Sequence, residues 1–229
     1  MTDYVFAPPA TPAAAVAGSD ALFPVRRIFC VGRNYAEHTR EMGFDPDREP
    51  PFFFGKPPSE IALAGEEIVF PPETDDLHYE GEMVVALGSG GRDIAIEDAN
   101  SHIWGYAVGN DLTRRDVQGV AKKMGRPWDW GKGFDKSAVI GPVHPVGGTG
   151  VLETGFVRSW VNGGLRQDGD LGQMIWSVPE VIAFISRSMR LAAGDLILTG
   201  TPAGVGNLVP GDEIRVAVEG LGEITNRIV

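Results

Sequence analysis

Cysteine is almost absent from this chain of 229 residues. The single one, Cys30, lies in the apolar run RIFCVG. A disulfide within the chain is therefore impossible, and no Cys/His spacing typical of a zinc site is present. We interpret Cys30 as a small buried hydrophobic residue rather than a reactive thiol.

Positive charge is scarce as well, with 20 Lys and Arg against 31 Asp and Glu, a net charge of −11 and a pI near 4.8. Such a chain repels a phosphate backbone, and no basic patch favours a membrane surface. No segment approaches the roughly 20 apolar residues that span a bilayer. The first 20 residues lack the basic and long apolar regions of a signal peptide. We expect a cytoplasmic protein that binds neither nucleic acid nor membrane.

Glycine and proline, by contrast, are abundant, with 31 and 17 residues, and 43% of the chain is hydrophobic. This composition favours a globular protein with many turns and short strands. Neither a repeat nor a long linker is visible. We predict a β-rich α+β domain with a few short helices over residues 25–229. An Ala/Pro-rich arm, residues 1–24, precedes it, and its residues 7–20 are expected to be extended and loosely packed.

Short apolar segments bounded by turn residues predict the strands. They are VRRIFCVG (25–32), PFFFGK, EEIVFPP, LHYEGEMVVALG, WGYAVGNDL, GDLILTG, DEIRVAV and GEITNRIV. Asn-Gly in FVRSWVNGGLRQ predicts a tight β-hairpin.

Helical patterns are fewer, and each has a start or stop signal. NYAEHTREMG is predicted to end at Gly43, and IEDANSHI to form one short turn. TRRDVQGVAKKMG is predicted to have Thr113 as N-cap and Gly125 as its stop. SVPEVIAFISRSM carries Ser177 and Glu180 in capping-box spacing.

The strand LHYEGEMVV contains two carboxylates, Glu80 and Glu82, at positions that share one face. Asp111, at the end of another predicted strand, is a third candidate. Carboxylates that converge repel each other unless a cation lies between them, and oxygen ligands suit Mg²⁺, Mn²⁺ or Ca²⁺. From residue types alone, a solvated strand face is an equal alternative.

His38 and Glu41 lie three residues apart on a predicted helix and share a face. A carboxylate beside an imidazole suits a general base, although such a pair is also common on solvated helix faces. Lys56 and Lys132 each follow an aromatic segment and are candidates for binding a substrate carboxylate or for simple surface lysines.

The segments GTPAGVG (200–206) and GKGFDKS (131–137) are rich in glycine. Both lack the ending of a phosphate-binding loop and follow no βαβ pattern. We interpret them as tight turns, of which the first offers Thr201 and backbone N–H groups to an anion.

Seven ordered motifs together resemble the fumarylacetoacetate hydrolase family, in its smaller branch of acylpyruvases, oxaloacetate decarboxylases and fumarylpyruvate hydrolases. The resemblance covers about residues 25–229. It rests on VGRNYAEHTREMG, FFFGKP, LHYEGEMVV, GYAVGNDLTRRDVQ, WGKGFDKSAVIGP, VNGGLRQDG and LILTGTPAGVG.

The resemblance implies a mixed β-sheet roll that forms a homodimer. It implies Mg²⁺ or Mn²⁺ held by Glu80, Glu82 and Asp111, and a lid helix whose His38 and Glu41 activate water. The remaining positions that match the family's substrate-binding residues are Lys132, Gln118 and Thr201, with Lys56 near the pocket.

The implied activity is hydrolysis of the C–C bond of an acylpyruvate, in particular fumarylpyruvate, in the breakdown of aromatic compounds through gentisate. Decarboxylation of oxaloacetate on the same scaffold is the alternative. Both reactions release a pyruvate enolate, so the metal site does not distinguish them. A protein that binds a 2-oxo acid without turnover is a third hypothesis.

One position departs from the family pattern, in which a Thr/Ser-Ala-Arg-Asp run follows the third carboxylate. Here the run is Thr113-Arg114-Arg115-Asp116. Because guanidinium binds carboxylate bidentately, Arg114 is a candidate for the distal carboxylate of fumarylpyruvate, and a solvated helix arginine is the alternative.

Overall fold

The computed structural model describes residues 3–42 and 49–229. Within them, short β-strands account for most of the regular structure. The strands are β1 (Ala13–Val16), β2 (Ser19–Pro24), β3 (Arg27–Gly32), β4 (Phe52–Lys56), β5 (Ile61–Leu63), β6 (Glu67–Ile68), β7 (Leu77–Tyr79), β8 (Gly81–Leu87), β9 (Ile103–Asp111), β10 (Thr113–Arg114), β11 (Ala138–Ile140), β12 (His144–Pro145), β13 (Phe156–Val161), β14 (Gly164–Asp170), β15 (Asp195–Leu198), β16 (Gly206–Leu208), β17 (Glu213–Val218) and β18 (Gly222–Ile228).

The helices are few and short, as predicted. The α-helices are α1 (Ala36–Glu41), α2 (Arg115–Lys123), α3 (Asp129–Lys132), α4 (Val146–Thr149) and α5 (Val178–Ser188). Short 3₁₀ helices lie at Pro58–Glu60, Ile96–His102 and Leu171–Gln173, and the second of them is longer than the one turn predicted for it.

The strands form a large mixed sheet in the order β4-β3-β15-β8-β9-β11-β5, with β12 beside β9. A second sheet, β14-β13-β17-β18-β6, packs its strands β13, β17 and β18 against β8 and β9. Strand β7 pairs with β10 and β16 in a third, small sheet. Parallel pairs (β3-β15, β5-β11, β6-β18) occur beside antiparallel ones. The prediction of a β-rich fold with a curled mixed sheet is confirmed.

Strand β8 shows why the central segment is apolar throughout. Side chains alternate between the two faces of a strand. Met83 and Val85 enter the core between the two large sheets, whereas Val84 and Ala86 enter a second core on the opposite face of the large sheet. Both faces are covered, and every residue of β8 is buried.

The N-terminal segment is better packed than predicted. Strands β1 and β2 form a hairpin whose Ala14 is fully buried in the second core. Backbone hydrogen bonds of 3.0 and 2.8 Å join its Ala17 and Ala15 to Val143. The expectation of loose packing is therefore wrong for residues 13–17, because this hairpin covers an apolar sheet face that would otherwise meet water, whereas residues 18–20 are exposed. The domain boundary at residues 24 and 25 stays a prediction.

The local sequence signals predicted some turns and helix ends correctly and others wrongly. Asn162 and Gly163 have φ of 51° and 78°, the left-handed values that the predicted hairpin turn needs. The Glu180 carboxylate accepts hydrogen bonds from the Ser177 amide and hydroxyl, as the capping-box spacing predicts. The predicted stop at Gly43 lies outside the described residues.

The predicted N-cap of α2 is wrong. Thr113 belongs to β10, and its hydroxyl donates to the Asp111 carbonyl at 3.0 Å instead of capping a helix. The helix begins at Arg115, because pairing of β10 with β7 holds the preceding residues extended. Its end is as predicted, with Gly125 at φ 64°.

Candidate metal centre and active site

Glu80 interrupts what the sequence predicts as one strand and separates β7 from β8. Its amide donates to the Asn110 side chain at 2.9 Å, and its carbonyl accepts from the Asp111 amide at 2.9 Å. In the adjoining β8–β9 pair, Glu82 lies opposite Gly109. This register brings Asp111, two residues beyond Gly109, beside both glutamates. One carboxylate oxygen from each of the three lies within 4.8 Å of the others.

The three carboxylates are buried, with 5%, 2% and 0% exposure for Glu80, Glu82 and Asp111. The Lys132 ammonium lies 2.8 Å from Glu80 and 2.8 Å from Asp111. On the far side of Asp111, the Lys56 ammonium is also at 2.8 Å. Basic groups thus surround the acidic cluster.

The basic groups act unequally on the glutamates. Burial by itself would raise the pKa of Glu80, but the nearby charges of Lys132 and Arg115 hold it below its usual value. Burial raises the pKa of Glu82 well above its usual value, and the charge of Asp111 adds to this effect. A hydrogen bond of 2.7 Å from the Gly200 amide offsets it only in part. Of the two glutamates, Glu82 is therefore the one whose ionised form its surroundings disfavour.

Mg²⁺ or Mn²⁺ fits this donor set. Both are hard cations that prefer carboxylate oxygen, and Mg²⁺ commonly keeps some waters or substrate oxygens in its shell. The carboxylates converge from two neighbouring strands and the connection before them, so the fold supplies a rigid half-shell. A cation there would offset both the burial and the repulsion that raise the pKa of Glu82.

This electrostatic arrangement predicts proton release when a metal binds. Glu82 must lose its proton to serve as a ligand, so its raised pKa makes binding weaker as the pH falls. Calorimetric titration with Mn²⁺ in two buffers of different ionisation enthalpy measures the proton count. We expect protons to be released and the affinity to rise with pH. An affinity that is constant over the pH range, with no proton released, would contradict this.

His38 and Glu41 form a pair at the end of α1. The His38 Nδ1 lies 3.1 Å from the Glu41 carboxylate, which also accepts from the Gly204 amide at 3.1 and 3.2 Å. The hydrogen bond to His38 is the main cause of a lowered pKa at Glu41. A neutral His38 that donates from Nδ1 keeps Nε2 as an acceptor, which is the state of a general base.

A cavity lies over the carboxylates, between the end of α1 and helix α2. Its apolar wall consists of Val31, Met42, Phe54 and Trp128. Its polar lining consists of Arg33, His38, Glu80, Glu82, Arg115, Gln118, Lys122, Lys132 and Thr201. The structure thus brings together most of the predicted site residues at one cavity, with Asp111 beneath it and Glu41 behind His38.

Lys56, predicted to bind substrate, is not among the lining residues. Its ammonium contacts Asp111, the Leu112 carbonyl at 2.9 Å and the Lys132 carbonyl. The side chain is fully buried beneath the acidic cluster. These contacts tie Lys56 to Asp111 and to the backbone that carries Lys132, and its role in binding substrate stays a prediction.

Arg114, predicted to bind a distal carboxylate, is likewise outside the cavity. Its guanidinium donates to the carbonyls of Pro72 and Trp130 and lies 5.1 Å from the Phe134 ring centre. The neighbouring residue, Arg115, lines the cavity instead. The difference arises because β10 ends between the two residues, so that their side chains diverge.

Replacing Arg114 by alanine is therefore expected to affect stability rather than specificity. The variant removes two partly buried hydrogen bonds from a charged donor, which costs about 1 to 3 kcal/mol of unfolding free energy. Chemical denaturation measures that cost. The ratio of kcat/KM between fumarylpyruvate and acetylpyruvate, which lacks the distal carboxylate, should stay as in the wild type. A selective loss on fumarylpyruvate would restore the original hypothesis.

Arg115 is the main site residue that the sequence interpretation missed. It pairs with Glu80 and donates to the Gln118 side chain at 2.7 Å. The signal was the i, i+3 spacing of Arg115 and Gln118 on α2, which places both on one helix face.

The glycine-rich segment 200–206 is a turn, as predicted, and its anions belong to the protein itself. The Gly200 amide binds the Glu82 carboxylate, and the Gly204 amide binds the Glu41 carboxylate. Gly204 has φ of 97°, and a Cβ there would lie 2.1 Å from the Arg166 carbonyl oxygen. Only glycine fits at position 204. Through its two amide hydrogen bonds, the loop connects the acidic cluster to the His38–Glu41 pair.

A family model described as the C-terminal domain of fumarylacetoacetate hydrolase matches residues 27–229. The chain belongs to the fumarylacetoacetate hydrolase family. The resemblance carried by the seven motifs is confirmed.

Three relatives of this family are especially informative. The crystal structure of fumarylpyruvate hydrolase from Pseudomonas aeruginosa, in complex with Mn²⁺ and pyruvate, is 49% identical, covers 99% of both chains and has a TM-score of 0.98. Fumarylpyruvate hydrolase of Ralstonia sp. is 42% identical over 79% of this chain and 94% of its own. Mitochondrial oxaloacetate decarboxylase of Dictyostelium discoideum is also 42% identical, over 86% and 90%.

These findings support two coarser conclusions. A divalent metal cofactor, Mg²⁺ or Mn²⁺, is confirmed for the family site, since a relative carries Mn²⁺ and the buried triad has the matching donors. The chain is similar at equal identity to a hydrolase and to a decarboxylase, so identity alone does not select the substrate. No helix in residues 3–42 and 49–229 is long and apolar enough to cross a membrane.

Proposed function

We propose that this protein hydrolyses the C–C bond of an acylpyruvate, with fumarylpyruvate as substrate and fumarate and pyruvate as products. The observation that carries the proposal is the His38–Glu41 pair at the same cavity as the acidic cluster. Water activation is needed for hydrolysis but not for decarboxylation. The similarity to fumarylpyruvate hydrolases of P. aeruginosa and Ralstonia supports it.

Glu80, Glu82 and Asp111 would hold Mg²⁺ or Mn²⁺, which supplies Lewis-acid stabilisation of negative charge on the oxygens of a 2-oxo acid. The same end of the substrate carries a carboxylate. Lys132, Arg115 and Gln118 provide donors for it at the cavity wall, and Thr201 lies at the edge of the same wall. These groups orient the substrate and confine its charged end to the floor of the cavity.

His38 acts at the other carbonyl of the substrate, two carbons beyond the keto group. It takes a proton from water while the hydroxyl oxygen bonds to that carbonyl carbon. The C–C bond on the pyruvate side then breaks, its electron pair passes to the pyruvate enolate, and a proton converts the enolate to pyruvate. Glu41 orients the imidazole and stabilises its protonated form.

Decarboxylation of oxaloacetate is the second candidate, because the relative from D. discoideum is equally similar. It would use the acidic cluster and Lys132 without any need for the His38–Glu41 pair. The cytoplasmic location, the pathway of aromatic breakdown and the homodimer remain predictions.

Turnover measured in parallel tests the proposal. The purified protein with Mg²⁺ is given fumarylpyruvate, acetylpyruvate and oxaloacetate, and the loss of each is followed. We expect kcat/KM to be at least about a hundredfold higher for fumarylpyruvate than for oxaloacetate. A site that binds polar or charged groups of its preferred substrate can discriminate against another substrate by such a factor. A preference for oxaloacetate would select the second candidate. Binding of oxalate, an enolate mimic, without turnover of any substrate would reject both.

A further inference from the structure

The glycine-rich loop 200–206 contacts both halves of the candidate active site. The Gly200 amide donates to Glu82 of the acidic cluster at 2.7 Å, and the Gly204 amide donates to Glu41 at 3.1 Å. Glu41 in turn contacts the His38 imidazole. A side chain that fixes this loop against the start of α1 therefore helps to set the position of the candidate general base relative to the acidic cluster.

Asn34, which precedes α1 and is 1% exposed, is such a side chain. Its Nδ2 donates to the Thr199 carbonyl at 2.8 Å and to the Trp176 carbonyl at 2.9 Å. Its Oδ1 accepts from the Trp176 amide at 2.8 Å. Because the two carbonyls only accept and the backbone amide only donates, these partners fix the orientation of the Asn34 carboxamide.

The main chain around Asn34 is held as closely as its side chain. The Asn34 carbonyl accepts from the Ile175 amide at 2.8 Å, and the next residue, Tyr35, forms an isolated β-bridge with Met174. A Cβ on Gly200 would lie 2.7 Å from the Asn34 Cβ, so the loop and the chain entering α1 are in contact. Helix α1 thus begins from a point that is anchored on two sides.

Helix α1 is joined to the same stretch of chain at both of its ends. At its start, Asn34 binds Thr199, directly before the loop. At its end, Glu41 binds Gly204 within the loop. His38 lies between these two attachments, in a helix of only six residues, so a shift of the helix start moves the imidazole. A displacement of about 1 Å in a reacting group can lower a rate about 100-fold.

We propose that Asn34 is a positioning residue for the hydrolysis. It fixes the start of α1 to the chain that also binds Glu82, and so places the His38 imidazole relative to the acidic cluster. The inference rests on the proposed function, because the effect of Asn34 passes through the histidine that activates water. Asn34 is not among the residues that line the cavity, so it acts without touching the substrate.

A double-mutant cycle tests whether Asn34 acts through His38. Asn34→Ala is assayed with fumarylpyruvate in the wild-type background and in the His38→Ala background. In the first, we expect kcat to fall about 10- to 100-fold while KM stays within a few-fold, since the groups that bind substrate are unchanged. In the second, we expect almost no further loss, because the group that Asn34 positions is already gone.

Asn226→Ala is the matched control. The Asn226 side chain is also buried and donates to two carbonyls, those of Leu63 and Glu66, at 2.9 Å each, but it lies outside the cavity lining. This variant should lose thermal stability and keep the wild-type kcat. Asn34→Ser, which leaves room for water to bind the vacated groups, replaces Asn34→Ala if that variant does not fold. Affinity for Mn²⁺, measured by calorimetry, should stay within a few-fold in the folded Asn34 variant.

The outcomes separate this inference from the proposed function. A kcat loss confined to the background that contains His38 would support the role of Asn34. An unchanged kcat, an equal loss in both backgrounds, the same loss in Asn226→Ala, or a fall in Mn²⁺ affinity that accounts for the loss would overturn that role and leave acylpyruvate hydrolysis intact. A wild type that hydrolyses no acylpyruvate, or full hydrolysis by His38→Ala, would overturn the proposed function and this inference with it.

Discussion

His38→Ala should lower kcat for fumarylpyruvate hydrolysis by about 10²- to 10⁴-fold, the usual contribution of a positioned general base. The reason is geometric. His38 is buried, its Nδ1 is engaged by Glu41, and its remaining nitrogen is the base available to water in the cavity. Because the carboxylates of the metal centre are untouched, Mn²⁺ affinity measured by calorimetry should stay within a few-fold of the wild type.

The same variant distinguishes the two candidate reactions. Decarboxylation needs no activated water, so an oxaloacetate decarboxylase would retain most of its activity without His38. His102→Ala is a suitable control, since His102 bonds to Ser89 and does not line the cavity. Full hydrolysis of fumarylpyruvate by His38→Ala would remove the observation on which the proposed function rests.

Glu82→Gln should abolish metal-dependent activity. The substitution removes one of three negative charges and leaves an amide oxygen, which is a weaker ligand for a hard cation. Loss of an outer-shell partner alone costs about 10- to 100-fold in metal affinity, so loss of a ligand should cost more than about 100-fold. Calorimetry with Mn²⁺ and activity at limiting Mg²⁺ measure the two effects.

The thermal stability of the metal-free protein should respond to Glu82→Gln differently from its metal affinity, which falls. Burial and the charges of Asp111 and Glu80 raise the pKa of Glu82, which means that its ionised form is destabilised by its surroundings. A neutral amide of the same shape relieves this repulsion. Without metal, Glu82→Gln should therefore melt no lower than the wild type at a pH above that raised pKa. The wild type should gain stability on adding Mn²⁺, whereas the variant should not.

A matched control is Glu97→Gln, which removes an exposed carboxylate on the 3₁₀ helix Ile96–His102, outside the cavity lining. It should leave both metal affinity and the Mn²⁺-dependent stabilisation unchanged. Wild-type activity of Glu82→Gln at limiting Mg²⁺ would exclude Glu82 as a ligand. A variant that melts well below the wild type without metal would contradict the account of its pKa.

Local sequence predicted much of the secondary structure because the relevant forces act between near neighbours. The Asn162-Gly163 turn, the Gly125 helix stop and the Glu180 cap each depend on only a few residues. Prediction failed where a distant strand intervened. Thr113 has the chemistry of an N-cap, but pairing of β10 with β7 keeps it extended.

The sequence by itself determined which chemistry is present: an acidic pair at alternate positions of a strand, a third carboxylate at the end of another, and a histidine with its glutamate on one helix. Spacing along one element is enough to specify these groups. Only the tertiary structure decided how they are used. The β8–β9 register joins Asp111 to the glutamates, and the end of β10 turns Arg114 away while Arg115 enters the cavity. Arg33 and Lys122, 89 positions apart in the chain, line one cavity because β3 and α2 are packed on its two sides, and no local pattern records that proximity.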